Sequence, residues 1–199
     1  MMVSVNTIYL CVILVMICWV IFKRATLNEV NNRLNQPCYT KDGQFLGWYS
    51  RSVAVASFIF CKDKMGEWCV LASERGKGTP DYQGYWNCPC GYLDWNERLS
   101  DAAHRETLEE TGVNIPADEF KVVGINDSPS ENRQNVTVRH RVIINDKSTD
   151  DFTFSHDGNE QDEVGEIRWI PLKLVNAYKW AFGHDRLINQ IFDEHQKNS

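Results

Sequence analysis

The chain has 199 residues, 43% hydrophobic and 12% aromatic, which suffices for one domain of ordinary size with a real core. Its formal net charge of −6 argues against a broad nucleic-acid-binding surface. No internal repeat or low-complexity tract is visible.

The first element is an apolar run, VSVNTIYLCVILVMICWVIF, over residues 3–22. At 1.5 Å rise per residue, its length matches the roughly 30 Å core of a bilayer. No Lys or Arg precedes it, and bulky Trp19, Ile21 and Phe22 close it, which disfavours a cleaved leader. Lys23 and Arg24 follow, and no acid appears before Glu29. Residues 1–24 are therefore expected to be a single-pass transmembrane anchor, with the rest of the chain on the cytoplasmic side. A buried N-terminal helix is the competing reading. Residues 25–38 read as a polar linker or short juxtamembrane helix, and residues 39–199 as the folded domain.

Seven cysteines fit that topology. Cys11 and Cys18 lie in the apolar run, and the other five are scattered, so a reducing compartment needs no pairing scheme for them. Cys88-Pro89-Cys90 has no second Cys/His pair at zinc-like spacing, so structural thiols are expected.

Residues 52–61, SVAVASFIFC, read as a strand, and residues 67–73, EWCVLAS, as a second. KDKMG between them suits a hairpin turn. Residues 75–90 form a long loop rich in Gly and Pro. A helix is expected from about Ser100 and Asp101, as capping residues, to Thr111, with Gly112 as its stop. Strands follow at 120–125 and 134–144, and in the latter Val136, Val138, His140 and Val142 alternate with polar residues. A loop at 147–162 leads to a last strand at 166–170. Two helices are expected after Pro171, the second with Leu187, Ile188, Ile191 and Phe192 on one stripe. This order suits a mixed sheet covered by helices on both faces.

The helix carries the chemistry. Glu106, Glu109 and Glu110 fall at i, i+3 and i+4 and share one face. Like charges so placed cost about a few tenths of a kcal/mol per pair. A solvated helix interleaves lysines; this one has only Arg105 beside them. Oxygen ligands for a hard divalent cation explain the cluster better, because the ion cancels the repulsion. Ala103, Thr107 and Thr111 form a stripe of small residues that lets the helix lie close to a sheet.

The whole segment, GYLDWNERLSDAAHRETLEETGV over residues 91–113, resembles the Nudix hydrolase signature G-x5-E-x7-R-E-U-x-E-E-x-G-U. Gly91, Glu97, Arg105, Glu106, Glu109, Glu110, Gly112 and Val113 match the pattern. Thr107 stands at a packing position where the family has a bulky aliphatic residue, and Cys90 where it usually has a glycine. The resemblance extends loosely over about residues 40–195, through GYWNCPCG and WIPL. It implies an α/β fold, a Nudix-type α/β/α sandwich with a mixed sheet, here joined to an N-terminal hydrophobic helix.

The resemblance further implies metal-dependent hydrolysis of a nucleoside diphosphate linked to another group, with Mg²⁺ as cofactor and Mn²⁺ as a possible substitute. Glu109 and Glu110 become metal ligands and Glu106 a ligand or water-activating base. Arg105 holds the glutamates by charge-assisted bonds, and Glu97 supports the site from the loop, as a further metal ligand or as an acceptor behind the ligands. The carbonyl of Cys90 and a later acid, Glu163 in preference to Glu160, complete the candidate ligands. Arg75, Gly91 and Tyr85 are candidate substrate contacts, with Tyr82 and Trp86 as further aromatics and Trp86 expected in the core. His104 and His184 are expected to be a surface residue and a helix-start residue. Pro129 lies where members acting on ADP-ribose often carry a proline. The expected partners are a small nucleotide substrate and, through the anchor, a membrane, with no nucleic acid. A non-catalytic nucleotide sensor on the same fold is the alternative, and an interaction protein with merely solvated acids a third reading.

Overall fold

The computed structural model describes residues 36–129, 135–156 and 162–198. The run 3–22 expected to be an anchor, most of the expected linker, and Glu160 lie outside them. Among the described residues no helix is long and apolar enough to cross a membrane.

The chain separates into two compact units, Met1–Arg51 and Ser52–Ser199. The described part of the first is an antiparallel hairpin, β1 (Gln36–Tyr39) and β2 (Phe45–Tyr49). Its turn is closed by the backbone N–H of Gln44 donating to Thr40 Oγ1 at 2.9 Å, and Tyr39 meets Phe45 edge-on. The expected domain start near Tyr39 falls in this hairpin.

The second unit is built on a seven-stranded sheet. Its strands are β3 (Val53–Lys62), β4 (Trp68–Arg75), β5 (Trp86–Asn87), β6 (Cys90–Tyr92), β7 (Lys121–Asn126), β8 (Val136–Ser148) and β9 (Val164–Pro171). The main path runs β5-β4-β3-β8-β7, with β6 also on β3 and β9 also on β4. β3 and β4 form the expected hairpin, with Phe60 opposite Val70. β3 and β8 run parallel, from Val53 opposite Val136 to Cys61 opposite Ile144, and the other pairings are antiparallel. The sheet is therefore mixed, as expected.

Strand periodicity sorts the side chains onto two faces. Val55, Ile59, Cys61 and Leu71 pack with Ala102 and Ala103 of helix α1 (Leu99–Thr111). Phe58, Phe60, Val70 and Ala72 pack with Ile188 and Ile191 of helix α2 (His184–Asn198). Helix on one face, sheet, helix on the other is the expected sandwich.

The small stripe of α1 lies against the sheet: Ala103, Thr107 and Thr111 are fully buried. The threonine hydroxyls donate back to the carbonyls of Ala103 and Thr107, at 2.7 and 2.6 Å, so they enter the interior satisfied. Gly112 ends the helix in the left-handed conformation, φ 73°, its N–H donating to Leu108 O.

Three expectations need correction. Ser100 and Asp101 do not cap α1: Arg98 occupies the cap position, and Asp101 in the first turn pairs with it at 2.8 Å. β8 runs to Ser148, beyond the expected end at 144, because Lys62 still pairs with Ser148 after a register shift. The stretch after Pro171 is a 3-10 turn, Leu172–Ala177, rather than an α-helix. There the Trp180 indole N–H takes the Val175 carbonyl at 2.7 Å, and Trp86 bonds the backbone of Lys179 and Ala181. Pairing with β5 pulls the chain straight before a helix can propagate.

Candidate active site

The antiparallel pairing of β6 with β3 sets Gly91 opposite Val55, beside the face of α1 that carries its glutamates. Gly91 is required there: a Cβ on it would overlap the Glu106 carboxyl group. The missing side chain seats that carboxylate against the strand backbone.

Arg105 is the hub. Its Nε and Nη2 donate to the two oxygens of Glu97 at 2.8 and 3.1 Å, a bidentate pair. Nη1 donates to Glu106 Oε1 at 2.8 Å and to Glu109 Oε2 at 3.0 Å, and Nη2 also reaches the Tyr92 carbonyl at 3.0 Å. One guanidinium thus ties loop, strand and helix together. The bond from Arg105 holds the Glu97 carboxyl below its ordinary value. The same bond, with the nearby glutamate charges, raises the arginine further above its already high value.

Glu110 turns elsewhere. It is buried, accepting from the Cys90 N–H and from Ser73 Oγ, both at 3.3 Å. Beside it the Cys90 thiol is pushed up to about 12, chiefly by burial, which keeps it neutral.

Glu106, Glu109, Glu110, Gly91, Arg105, Arg75 and Glu163 all line one cleft of about 530 Å³. Glu163 reaches it from the β9 approach, where the Gly76 N–H holds the Glu163 carbonyl at 2.7 Å. Arg75 is already engaged: its Nη2 pairs with Asp81 at 2.8 Å, and its guanidinium lies 4.9 Å from the Phe182 ring centre. Glu97 stands one step back, behind Arg105. Tyr85 is not brought to the cleft, because it packs edge-on against Tyr82 within the loop.

Trp86 is buried in the core, as expected. His104 is held by the Ile115 carbonyl at 2.6 Å and is not part of the cleft. His184 is at the start of α2 as expected, yet it is buried and lines the cleft, its Nδ1 accepting from the Cys88 N–H at 3.0 Å.

The cleft also contains residues that sequence reasoning missed: Asn126, Asn135, Thr137, Arg139 and Phe182. The alternation along β8 marked Thr137 and Arg139 as polar positions, but nothing in it pointed to a cleft. They border a cleft because Ala54 and Ala56 of β3, opposite them in register, are too small to fill the space that Phe58 and Phe60 fill further along.

The donor set suits a hard divalent cation, being carboxylates and a backbone carbonyl in a half-buried cleft. Among the described residues, no three His, Cys, Asp or Glu side chains already converge as a metal cage. Glu106 and Glu109 are turned to Arg105 instead.

Comparison with known proteins agrees with this geometry. The NUDIX domain family model matches residues 50–191. The chain is 28% identical over 163 residues to the ADPR responsive transcriptional repressor NtrR of Acinetobacter baylyi, covering 77% of this chain and 60% of that protein. It is 28% identical over 130 residues to the m7GpppN-mRNA hydrolase NUDT17 of Danio rerio, covering 61% of this chain and 43% of that protein. It thus spans less than two thirds of either relative. The NUDIX domain of Shewanella oneidensis NrtR, solved with ADP ribose, superposes with a TM-score of 0.59 at 22% identity, over 73% of this chain and 89% of that one. Family match, fold and the arginine-centred glutamate array lead to one assignment: the chain belongs to the Nudix family.

Proposed function

We propose that this protein is a divalent-metal-dependent hydrolase that cuts the phosphoanhydride bond of a nucleoside diphosphate linked to another group. The carrying observation is the complete glutamate array around Arg105 at the mouth of the cleft. A sensor that only holds nucleotide has no need of every acid.

Glu106, Glu109 and Glu110 would hold Mg²⁺ or Mn²⁺, helped by the Cys90 carbonyl and Glu163. A metal held there would neutralise phosphate charge and lower the pKa of a water. Arg105, paired with both Glu106 and Glu109, would balance their charge and keep them beside the cleft. Glu106 would serve either as one of these ligands or as the base that takes the proton of the attacking water on a carboxylate oxygen. Glu97 keeps Arg105 aimed through its bidentate pair. Gly91 leaves room for Glu106, and Arg75 contacts the substrate from the opposite loop.

The apolar run 3–22 with Lys23 and Arg24 supports a further part of the reading: a single membrane anchor that leaves the catalytic domain in the cytoplasm. Protease protection of the full chain in sealed vesicles reads that topology directly.

The activity test uses the full-length protein with a panel of ADP-ribose, NADH, sugar nucleotides, a capped dinucleotide and nucleoside triphosphates, with and without Mg²⁺ or Mn²⁺. Metal-dependent cleavage of a panel member, lost in Glu109→Gln and Glu110→Gln, is the expected result. The relative described as an ADPR responsive repressor favours a second reading, a nucleotide-responsive sensor. Metal-dependent binding without turnover would select it.

A further inference from the structure

The cleft has two chemically different walls. One is the glutamate array of α1 with the loops beside it. The other is built by three neighbouring strands and carries no acid among its described lining residues. On it, Ala54 and Ala56 of β3 stand opposite Thr137 and Arg139 of β8. These in turn stand opposite Asn126 and Gly124 of β7. Asn135 joins the group, its amide Nδ2 donating to Thr137 Oγ1 at 2.9 Å.

Among the described residues, three guanidinium groups line the cleft. Arg75 is paired with Asp81, and Arg105 with Glu97, Glu106 and Glu109. Arg139 is half-buried, and its guanidinium makes no ion pair or hydrogen bond with a described residue. A partly desolvated guanidinium lacks much of its hydration and gains most from an anion that accepts its planar fork of donors. The hydroxyl and amides around it add neutral donors, so that wall suits an acceptor-rich ligand.

The phosphoanhydride that is cut belongs with the metal-binding wall. The opposite wall therefore meets a different anion. We infer that Arg139, supported by Asn126, Asn135 and Thr137, is a subsite for a phosphomonoester carried on the half of the substrate away from the scissile bond. This rests on the hydrolase reading and narrows it: the substrate class is a nucleoside diphosphate derivative with an additional phosphate on its sugar. The 2′ and 3′ positions present the same chemistry, and the test separates them.

The test is calorimetric binding to the full-length protein with Mg²⁺ present. The probes are adenosine 5′-monophosphate, adenosine 2′,5′-bisphosphate and adenosine 3′,5′-bisphosphate. One bisphosphate is expected to bind about tenfold or more tightly than the monophosphate, the size of one charge-assisted contact. In Arg139→Gln that advantage falls to within about threefold, and Arg139→Lys restores part of it through its point charge. Thermal melting confirms that both variants fold. Equal affinities for all three probes in the wild type overturn the inference, as does an advantage that Arg139→Gln leaves intact. If the panel above is hydrolysed but no bisphosphate is preferred, only the subsite falls. If no nucleotide binds or reacts, the hydrolase reading falls with it.

Discussion

Arg105 and Glu97 make a pair whose value depends on charge. The Glu97 carboxyl sits below its ordinary 4.5, first because Arg105 donates to it. A carboxyl depressed in the folded state contributes stability that is complete above its unfolded value and is lost as pH falls through the folded one. Glu97→Gln should therefore melt below the wild type at neutral pH, and the gap should close as the pH drops below 4.5. Melting curves across that range check it; a gap that stays constant would remove Arg105 as the cause. Gly91 gives a second residue-scale prediction. In Gly91→Ala the new methyl meets the Glu106 carboxyl group, the movable end of a side chain, so the fold survives while the carboxylate is displaced. Activity should fall about 10²-fold, the cost of misplacing a reacting group by roughly 1 Å, with a melting temperature close to the wild type. Loss of folding instead would mean that the strand, not the carboxylate, gives way.

At the scale of elements, α1 was the most legible part of the chain, because the signature fixes its glutamate face and its glycine stop together. Its N-terminus was not legible, since the cap position falls to Arg98, which makes no side-chain cap hydrogen bond and so leaves no capping signal in the sequence. The turn at 172–177 was misread for a different reason. Its local sequence tolerates a helix, but Trp86, about ninety residues earlier, claims the backbone that follows. Gly112 tests the legible end. Its φ of 73° is costly for any side chain, and a Cβ there would also overlap Ser155 Oγ. Gly112→Ala should destabilise the protein by about 1–3 kcal/mol, from the strained backbone and the displaced Ser155. Urea denaturation with an unchanged slope would show this as stability alone; a loss under about 0.5 kcal/mol would mean the helix end relaxes freely.

Across the whole molecule, the cleft is where sequence and structure part company. The glutamates could be read from spacing, but the opposite wall exists only because β3 and β8 lie parallel and in register. No local pattern announces that two alanines near residue 55 make room for an arginine at 139. The assembled cleft then sets a charge problem. Glu106, Glu109 and Glu110 share one end of it with Arg105 as the compensating cation, and Glu110 is buried. A divalent ion that binds this folded arrangement and not the unfolded chain must stabilise it by mass action. At a concentration about 100 times its dissociation constant the gain is about 2.7 kcal/mol, which for a chain of this size raises the melting temperature by roughly 5–10 °C. Mg²⁺ and Mn²⁺ should both do so, chelator should reverse it, and Glu109→Gln or Glu110→Gln should flatten the titration. Monovalent salt at equal ionic strength should not reproduce it, because screening weakens repulsion without supplying ligand bonds. A melting temperature indifferent to the metal in the wild type would contradict a cation site. An equal rise in both variants would place the ion elsewhere on the protein.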